Sequence, residues 1–334
     1  MHRINLPRGR ARQTFLFWKM ADNRQYKGVF LSMFNFLYCT IFKTVKVGLH
    51  GKDFQDQSRP AVLGVIGYLQ KRKAEIYVSD KFAEGLRAEG ISHQYPVFLK
   101  RQSELPFDTL LSLGGDGKML ESVMYASQAG VPILGINTGR MGFLATTGKE
   151  QIEEALNDLW NGSYSIEERI MLELVSDQSV LGDFPFALND FTIMKKDSSF
   201  MITVHVFVDG EKLNSYWADG LIISTPTGST GYALSCGGPL VSPQSNSFII
   251  TAVSPHNLGT RPFVIPDTSE ISFKVEGRSE RFLVSLDSRI DSVTEEVELK
   301  IKRAQLKAKL VQPKGYHYFN TLRQKLNWGM DVRN

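Results

Sequence analysis

The chain has 334 residues, 42% of them apolar, and two cysteines, Cys39 and Cys236, that are far apart and lack a Cys-x-x-Cys pattern. An ordinary hydrophobic core is expected, and the cysteines argue against a disulfide framework or a zinc knuckle and fit a reducing, cytoplasmic compartment. The net charge of +4 is unevenly spread: residues 1–46 carry nine basic side chains against one acid, Asp22. The remainder is mildly acidic, so no nucleic-acid partner is expected of the body.

In chain order, residues 1–44 form an extension whose stretch from Gly28 to Phe42 is uncharged and rich in Phe, Leu and Met. It falls short of the roughly 20 apolar residues that a membrane span needs, and no small-x-small cleavage pattern follows it. An interfacial helix, a helix docked on the body, and translated sequence upstream of the true start all fit; we favour the last, because Val45 to Gly51 reads as the first strand of a domain. No membrane partner is expected.

From Val45 to about Glu150, short apolar strands alternate with helical stretches. Arg59 to Arg72 reads as a helix, Ile76 to Val78 as a strand, and Asp80 to Glu89 as a helix with Asp80 as its N-cap. The strand Thr109–Leu113 leads through Gly114-Gly115-Asp116-Gly117 into a helix ending near Ala129, and Val131–Ile136 is the next strand. This alternation predicts an α/β domain with a parallel sheet over 45–150. Gln151–Asn161 reads as a helix at the junction. The texture of 151–315 is β-rich, with strands at Ile170–Val175, Phe186–Met194, Met201–Val208, Leu221–Ser224, Phe248–Val253, Ile271–Val275 and Phe282–Leu286, and alternation at Val297, Leu299 and Ile301. Asp209-Gly210 is a turn signal. In the tail, 316–334, Tyr318 to Trp328 reads as a short helix packing back on the body.

Three motifs carry chemistry. In Leu110–Gly117, a strand ends in glycines that admit a phosphate close to the backbone, and the following helix offers unpaired N–H groups and a positive dipole end. Asp116 then sits at the carboxyl end of a parallel strand, where open α/β sheets bind ligands; alone, the turn reads equally well as an ordinary Gly-Asp-Gly turn with a capping aspartate. The second motif, Ser224 to Tyr232, places five hydroxyls, two glycines and a tyrosine in nine residues. It suits a polar ligand with a ring for Tyr232 to stack on, or a polar surface loop. The third, Asn189-Asp190, interrupts an apolar strand, as ligand contacts or a β-bulge would; Asp219, before Gly220, is equally ambiguous.

Together with Gly135-Ile136-Asn137, Gly142-Phe143-Leu144, Gly237-Gly238-Pro239, Pro255-His256, Arg261-Pro262 and Leu286-Asp287-Ser288, these motifs resemble the ordered series of the NAD kinases, from Val45 to the C-terminus. Gly-Gly-Asp-Gly alone is shared with diacylglycerol kinases, sphingosine kinases and phosphofructokinases. The resemblance implies an α/β N-terminal domain, a β-rich C-terminal domain, and a homo-oligomer, dimer or tetramer. It implies a kinase, a transferase that phosphorylates NAD to NADP with ATP as donor and a divalent cation, magnesium.

Residue by residue, the resemblance makes Asp116 the base that activates the 2′-hydroxyl of the adenosine ribose. Asn189 and Asp190 would hold NAD, and Asp219 would contact its nicotinamide side or a neighbouring group. Thr230, Gly231, Tyr232, Ala233, Leu234 and Ser235 would line the adenine site with Thr227 near it, and Gly117 and Arg289 complete the NAD set. Gly114, Gly115, Gly117 and Lys118 would serve the donor's phosphates. Three positions depart from the family pattern: Asp190 where glutamate is frequent, Gly231 where alanine is usual, and Arg289 where glutamine is frequent. These bear on the choice between NAD and NADH and on the donor. A lipid or sugar kinase sharing the glycine turn, and a non-catalytic NAD(P)-binding sensor, are the alternatives. His50 and His256 are placed to approach a ligand but read better as packing or surface residues, Lys71 to Lys73 as a solvated helix end, and Lys300, Lys302, Lys307 and Lys309 as the wet face of strands.

Overall fold

The structure is a computed structural model that describes residues 45–51, 58–91, 93–139, 142–196 and 200–327. The readings of 1–44 and of Trp328 lie outside the described residues.

Strand β1 (Lys46–Gly51) leads towards helix α1 (Arg59–Lys71), which has Pro60 in its first turn; β2 (Glu75–Ser79), α2 (Asp80–Ala88), β3 (Val97–Phe98), β4 (Thr109–Leu113), α3 (Asp116–Ala126) and β5 (Ile133–Ile136) follow. The five strands run parallel in the order β3-β2-β1-β4-β5. All five residues of β4 are buried, as the centre of a covered parallel sheet requires. The strand order reverses between β1 and β4, so the carboxyl ends of these two strands flank the crevice where doubly wound sheets bind ligands. Asp80, expected as the N-cap of α2, is not the cap. The N-cap of α2 is Ser79, whose Oγ accepts the Phe82 N–H at 3.2 Å. Asp80 is the first helical residue, and its carboxylate accepts the Tyr125 hydroxyl at 2.5 Å.

After α4 (Ile152–Asn161), which Gly162 ends in a left-handed cap, the chain turns to β-structure. It continues as β6 (Tyr164–Ser176), β7 (Phe186–Ala187), β8 (Asp190–Lys195), β9 (Ile202–Val208), β10 (Glu211–Ala218), β11 (Gly220–Ser224), the single turn α5 (Tyr232–Ser235), β12 (Ser247–Val253), β13 (Phe263–Pro266), β14 (Ile271–Glu276), β15 (Arg281–Leu286), β16 (Arg289–Thr294), β17 (Leu299–Pro313) and α6 (Tyr318–Leu326). Asp209 and Gly210, with φ of 51° and 84°, form the tight turn between β9 and β10. One sheet has the order β13-β12-β11-β8-β15-β16. The other continues the parallel sheet: β17 pairs in parallel with β5 at Leu310 and Ile133, and antiparallel with β6 along most of its length.

The segments 45–150 and 151–315 therefore share a sheet and a core. Phe98, Leu110, Tyr125 and Ile133 pack in one cluster with Met171, Phe184, Ala304 and Leu310. A second cluster, centred on Phe191, Ile223, Phe248 and Val284, fills the β-rich half. Strands β3, β10, β13 and β16 have no counterpart in the sequence reading. The run read as one strand from Phe186 to Met194 is broken at Leu188 and Asn189. Among the described residues no helix is long and apolar enough to cross a membrane.

Candidate active site

The first part of the site is the turn between β4 and α3. Gly114 has φ of 153°, a conformation that L side chains rarely adopt. A Cβ there would lie 2.5 Å from Lys118 Cγ, so the Lys118 stem lies across the glycine. The start of α3 has no side-chain cap, which leaves its first N–H groups without helical partners.

The Asp116 carboxylate instead reaches the loop after β5. Its Oδ2 accepts the Phe143 N–H at 2.7 Å, and its Oδ1 accepts those of Leu144 and Ala145, both at 3.0 Å. A Cβ on Gly142 would lie 1.7 Å from Oδ1, so glycine is required there. The Gly135–Asn137 motif holds the same loop. Asn137 Oδ1 accepts the Gly139 N–H at 2.8 Å, Asn137 Nδ2 donates to the Ala145 carbonyl at 3.3 Å, and a Cβ on Gly135 would meet Ala145 Cα at 2.9 Å.

The second part is built on Asp287, which lies in the β15–β16 turn with φ of 51°. Its carboxylate accepts the N–H groups of Leu188, Asn189 and Asp190 at 2.9, 2.7 and 3.3 Å. That is why the β-structure breaks at Leu188 and Asn189: their N–H groups turn to a side chain instead of a neighbouring strand. Thr225 closes the other side, its Oγ1 donating to the Leu188 carbonyl at 2.6 Å and its N–H to the Asn189 carbonyl at 2.9 Å. Gly228 packs so closely that a Cβ would lie 2.1 Å from the Asn189 oxygen.

Asp190 is 7% exposed. Burial, and then the charge of Asp287, push its carboxyl up to about 7. Burial also raises Asp287, against the lowering effect of its three N–H donors.

Asn189, Asp190, Thr192, Tyr232, Ser285, Asp287 and Ser288 line a cavity of about 380 Å³. Leu120, one turn along α3 from Asp116, is also in its wall, so the two parts of the site are neighbours. An ideal Cβ on Gly231 would lie 3.8 Å from an Asp190 carboxylate oxygen and 3.9 Å from Asn189 Nδ2, which brings the Thr225–Tyr232 loop to the same place. Ala233 is buried beneath it, whereas Tyr232 is 41% exposed.

Other sequence candidates are engaged elsewhere. Thr227 is buried, and its Oγ1 accepts from Arg169 at 3.2 Å. The Asp219 carboxylate is paired with Lys195 at 2.5 Å. Arg289 donates to the carbonyls of Phe184 and Phe186, with its guanidinium over the Phe184 ring. Sequence reading missed Arg169, which is 3% exposed and paired with Glu167 at 2.8 Å. Its charge sits inside an alternating strand, and only the Thr227 contact marks it. The His256 ring lies against Trp217, with centroids 4.2 Å apart.

Two family models match the chain: the ATP-NAD kinase N-terminal domain over residues 47–164 and the ATP-NAD kinase C-terminal domain over residues 188–313. The chain belongs to the ATP-NAD kinase family. It is 48% identical over 288 residues to an NAD kinase of Cytophaga hutchinsonii, covering 86% of this chain and 99% of that one. It is 43% identical over 294 residues to an NAD kinase of Flavobacterium psychrophilum, covering 87% and 100%. Among solved structures, an NAD kinase from Archaeoglobus fulgidus in complex with ATP matches with a TM-score of 0.63 and 26% identity, over 85% of this chain and 99% of that one. Yeast NADH kinase complexed with NADH shares the fold at a TM-score of 0.75 and 21% identity, over 86% and 89%. Neither family model matches the segment before residue 47.

Proposed function

We propose that this protein is an NAD kinase that transfers the terminal phosphoryl group of ATP to the 2′-hydroxyl of the adenosine ribose of NAD. The reading is supported above all by the proximity of Asp116, at the start of α3, to the cavity of Asn189, Asp190 and Tyr232, whose wall includes Leu120 of that helix.

Phosphoryl transfer is mostly positioning and charge neutralisation. The 2′-oxygen attacks the terminal phosphorus, a P–O bond forms, the bond to the bridging oxygen breaks, and ADP departs. The hydroxyl proton passes to Asp116, whose Oδ2 accepts a single N–H and keeps an acceptor direction open. The N–H groups at the start of α3, with Gly114, Gly115, Gly117 and Lys118, receive the donor's phosphates. Asn189, Asp190, Gly231 and Tyr232 contact NAD, Ala233 to Ser235 back the adenine side, and Asp219, Thr227 and Arg289 hold the frame around it.

Among the described residues no three His, Cys, Asp or Glu side chains gather as a metal site. A magnesium ion arriving with the donor would take most of its oxygen ligands from phosphates and water, and Asp116 is the carboxylate of the glycine turn that would help to hold it. When bound, it supplies charge neutralisation. A homo-oligomer, dimer or tetramer, and a cytoplasmic location belong to the same reading; light scattering of the purified protein reads the first.

The test is formation of NADP from NAD and magnesium ATP, followed by a coupled dehydrogenase. Asp116→Asn should lower kcat by about 10²-fold or more while NAD still binds. Tight NAD binding by a wild type that yields no NADP would favour the sensor reading instead.

A further inference from the structure

His50 is the last but one residue of β1 and lies at the crevice, yet its side chain is fully buried. Its Nδ1 is 2.8 Å from Ser79 Oγ, and its Nε2 is 3.4 Å from Glu121 Oε2. Burial lowers the His50 pKa, so the ring is neutral at pH 7. In the tautomer with the proton on Nε2, Ser79 donates to Nδ1, while Nε2 makes no hydrogen bond and faces Glu121 Oε2 as its nearest charged neighbour. Ser79 is fixed in turn by capping α2.

Glu121 gathers more than the histidine. Its Oε1 lies 2.6 Å from Lys118 Nζ and its Oε2 lies 3.6 Å from Lys81 Nζ. The contacts with His50 and the two lysines hold its carboxyl well below the usual carboxylate range. A solvated i,i+3 ion pair on a helix would not need this setting, because such pairs contribute little and are mostly exposed. Here the Lys118 and Glu121 side chains are 15% and 24% exposed, and a fully buried imidazole stands behind them. The Lys118 stem lies over Gly114, so its ammonium is held beside the phosphate turn.

We propose that Lys118 and Lys81 form a cationic clamp on the donor's phosphate chain, and that Glu121, backed by His50, is the residue that positions it. The proposal rests on reading the Gly114–Lys118 turn as the donor phosphate site. An ammonium group has three donors. Glu121 takes one from Lys118, which leaves two for phosphate oxygens in an orientation already fixed before the donor arrives. Prior ordering of this kind lowers the entropy cost of binding. His50 and Glu121 touch no substrate; they act through Lys118.

The experiment compares full-length wild type with Glu121→Gln, His50→Leu, His50→Gln and Lys81→Met. Glu121→Gln, His50→Leu and Lys81→Met should each raise the ATP KM about tenfold, with kcat and the NAD KM changed by no more than about threefold. His50→Gln, which can still accept at one end and donate at the other, should recover most of the loss. Titration of inorganic tripolyphosphate by calorimetry should show the same ranking of affinities without any turnover. An unchanged ATP KM and tripolyphosphate affinity in Glu121→Gln would reduce the cluster to a structural role, and a lowered ATP KM would make Glu121 a competitor for the lysines; either result overturns the proposal. If wild type makes no NADP, the parent reading fails while the tripolyphosphate ranking still decides the clamp.

Discussion

Replacing Gly142 by alanine sets a methyl where the Asp116 carboxylate sits. The new carbon would lie 1.7 Å from Oδ1 and 2.2 Å from Cγ. Unbonded heavy atoms settle at roughly 3.5 Å, so the loop or the carboxylate must move by well over 1 Å. The three N–H bonds from Phe143, Leu144 and Ala145, at 2.7, 3.0 and 3.0 Å, cannot all survive that displacement. Bonds to a charged acceptor contribute about 1.5–3 kcal/mol each. Asp116 is partly exposed, so water recovers much of this, and a net loss of about 1–2 kcal/mol is expected. That corresponds to a fall in Tm of a few degrees. The catalytic cost is larger, because a misplacement of about 1 Å at the reacting centre can lower the rate about 10²-fold. Steady-state kinetics and scanning fluorimetry on Gly142→Ala read both numbers. Gly139→Ala is the control, since a methyl there meets nothing within 4 Å, and it should stay within about twofold of wild type. A Gly142→Ala protein with kcat within about threefold of wild type would refute the placement of Asp116 at the reacting hydroxyl.

Asp190 titrates near 7 in the folded chain, against about 3.9 for a free aspartate. A carboxyl whose pKa is raised by folding favours the folded state while protonated; that contribution is full below about pH 4 and is lost as pH rises to about 7. Asp190→Asn should therefore gain in Tm over wild type between about pH 5 and pH 8, and a gap that stays constant would contradict the shift. Gly228→Ala sets a new methyl 2.1 Å from the Asn189 carbonyl oxygen, which must move away; a rise in the NAD KM of about tenfold, with the ATP KM unchanged, is expected from kinetics in which each substrate is varied in turn.

Much of the α/β half was legible because its signals are local. The Thr109–Leu113 strand and the glycine turn after it are read from adjacent residues, and the structure has the strand with the same bounds. The strands that went unread carry weak patterns. Glu211–Ala218 is mostly polar and exposed until its last residues, and Phe263–Pro266 and Arg289–Thr294 are the two edges of the second sheet, where neither face is consistently apolar. The break at Leu188 and Asn189 was illegible for another reason: its cause, Asp287, is almost 100 residues away. His50 and Glu121 share that difficulty. Each reads as an unremarkable residue of a strand or a helix, and only the pairing of β1 with β4 brings them together.

Asp116 and Asp287 show how far a motif can be read without a fold. Each is an aspartate in a turn, and each carboxylate takes three successive main-chain N–H groups from a distant loop, 143–145 in one case and 188–190 in the other. The device is the same, because an ionised carboxylate has two oxygens and about four lone-pair directions, and so can accept several converging N–H groups in a small volume. What separates the two is the segment each one holds. The bonds of Asp287 shape the segment that carries Asn189 and Asp190. Asp116 remains partly open at the start of α3, with one oxygen bonded only once. Asp287 has the same bond pattern but stands in the β15–β16 turn, away from the phosphate turn, so removing Asp287 should act on NAD binding through the chain it shapes, whereas removing Asp116 should act on the transfer itself.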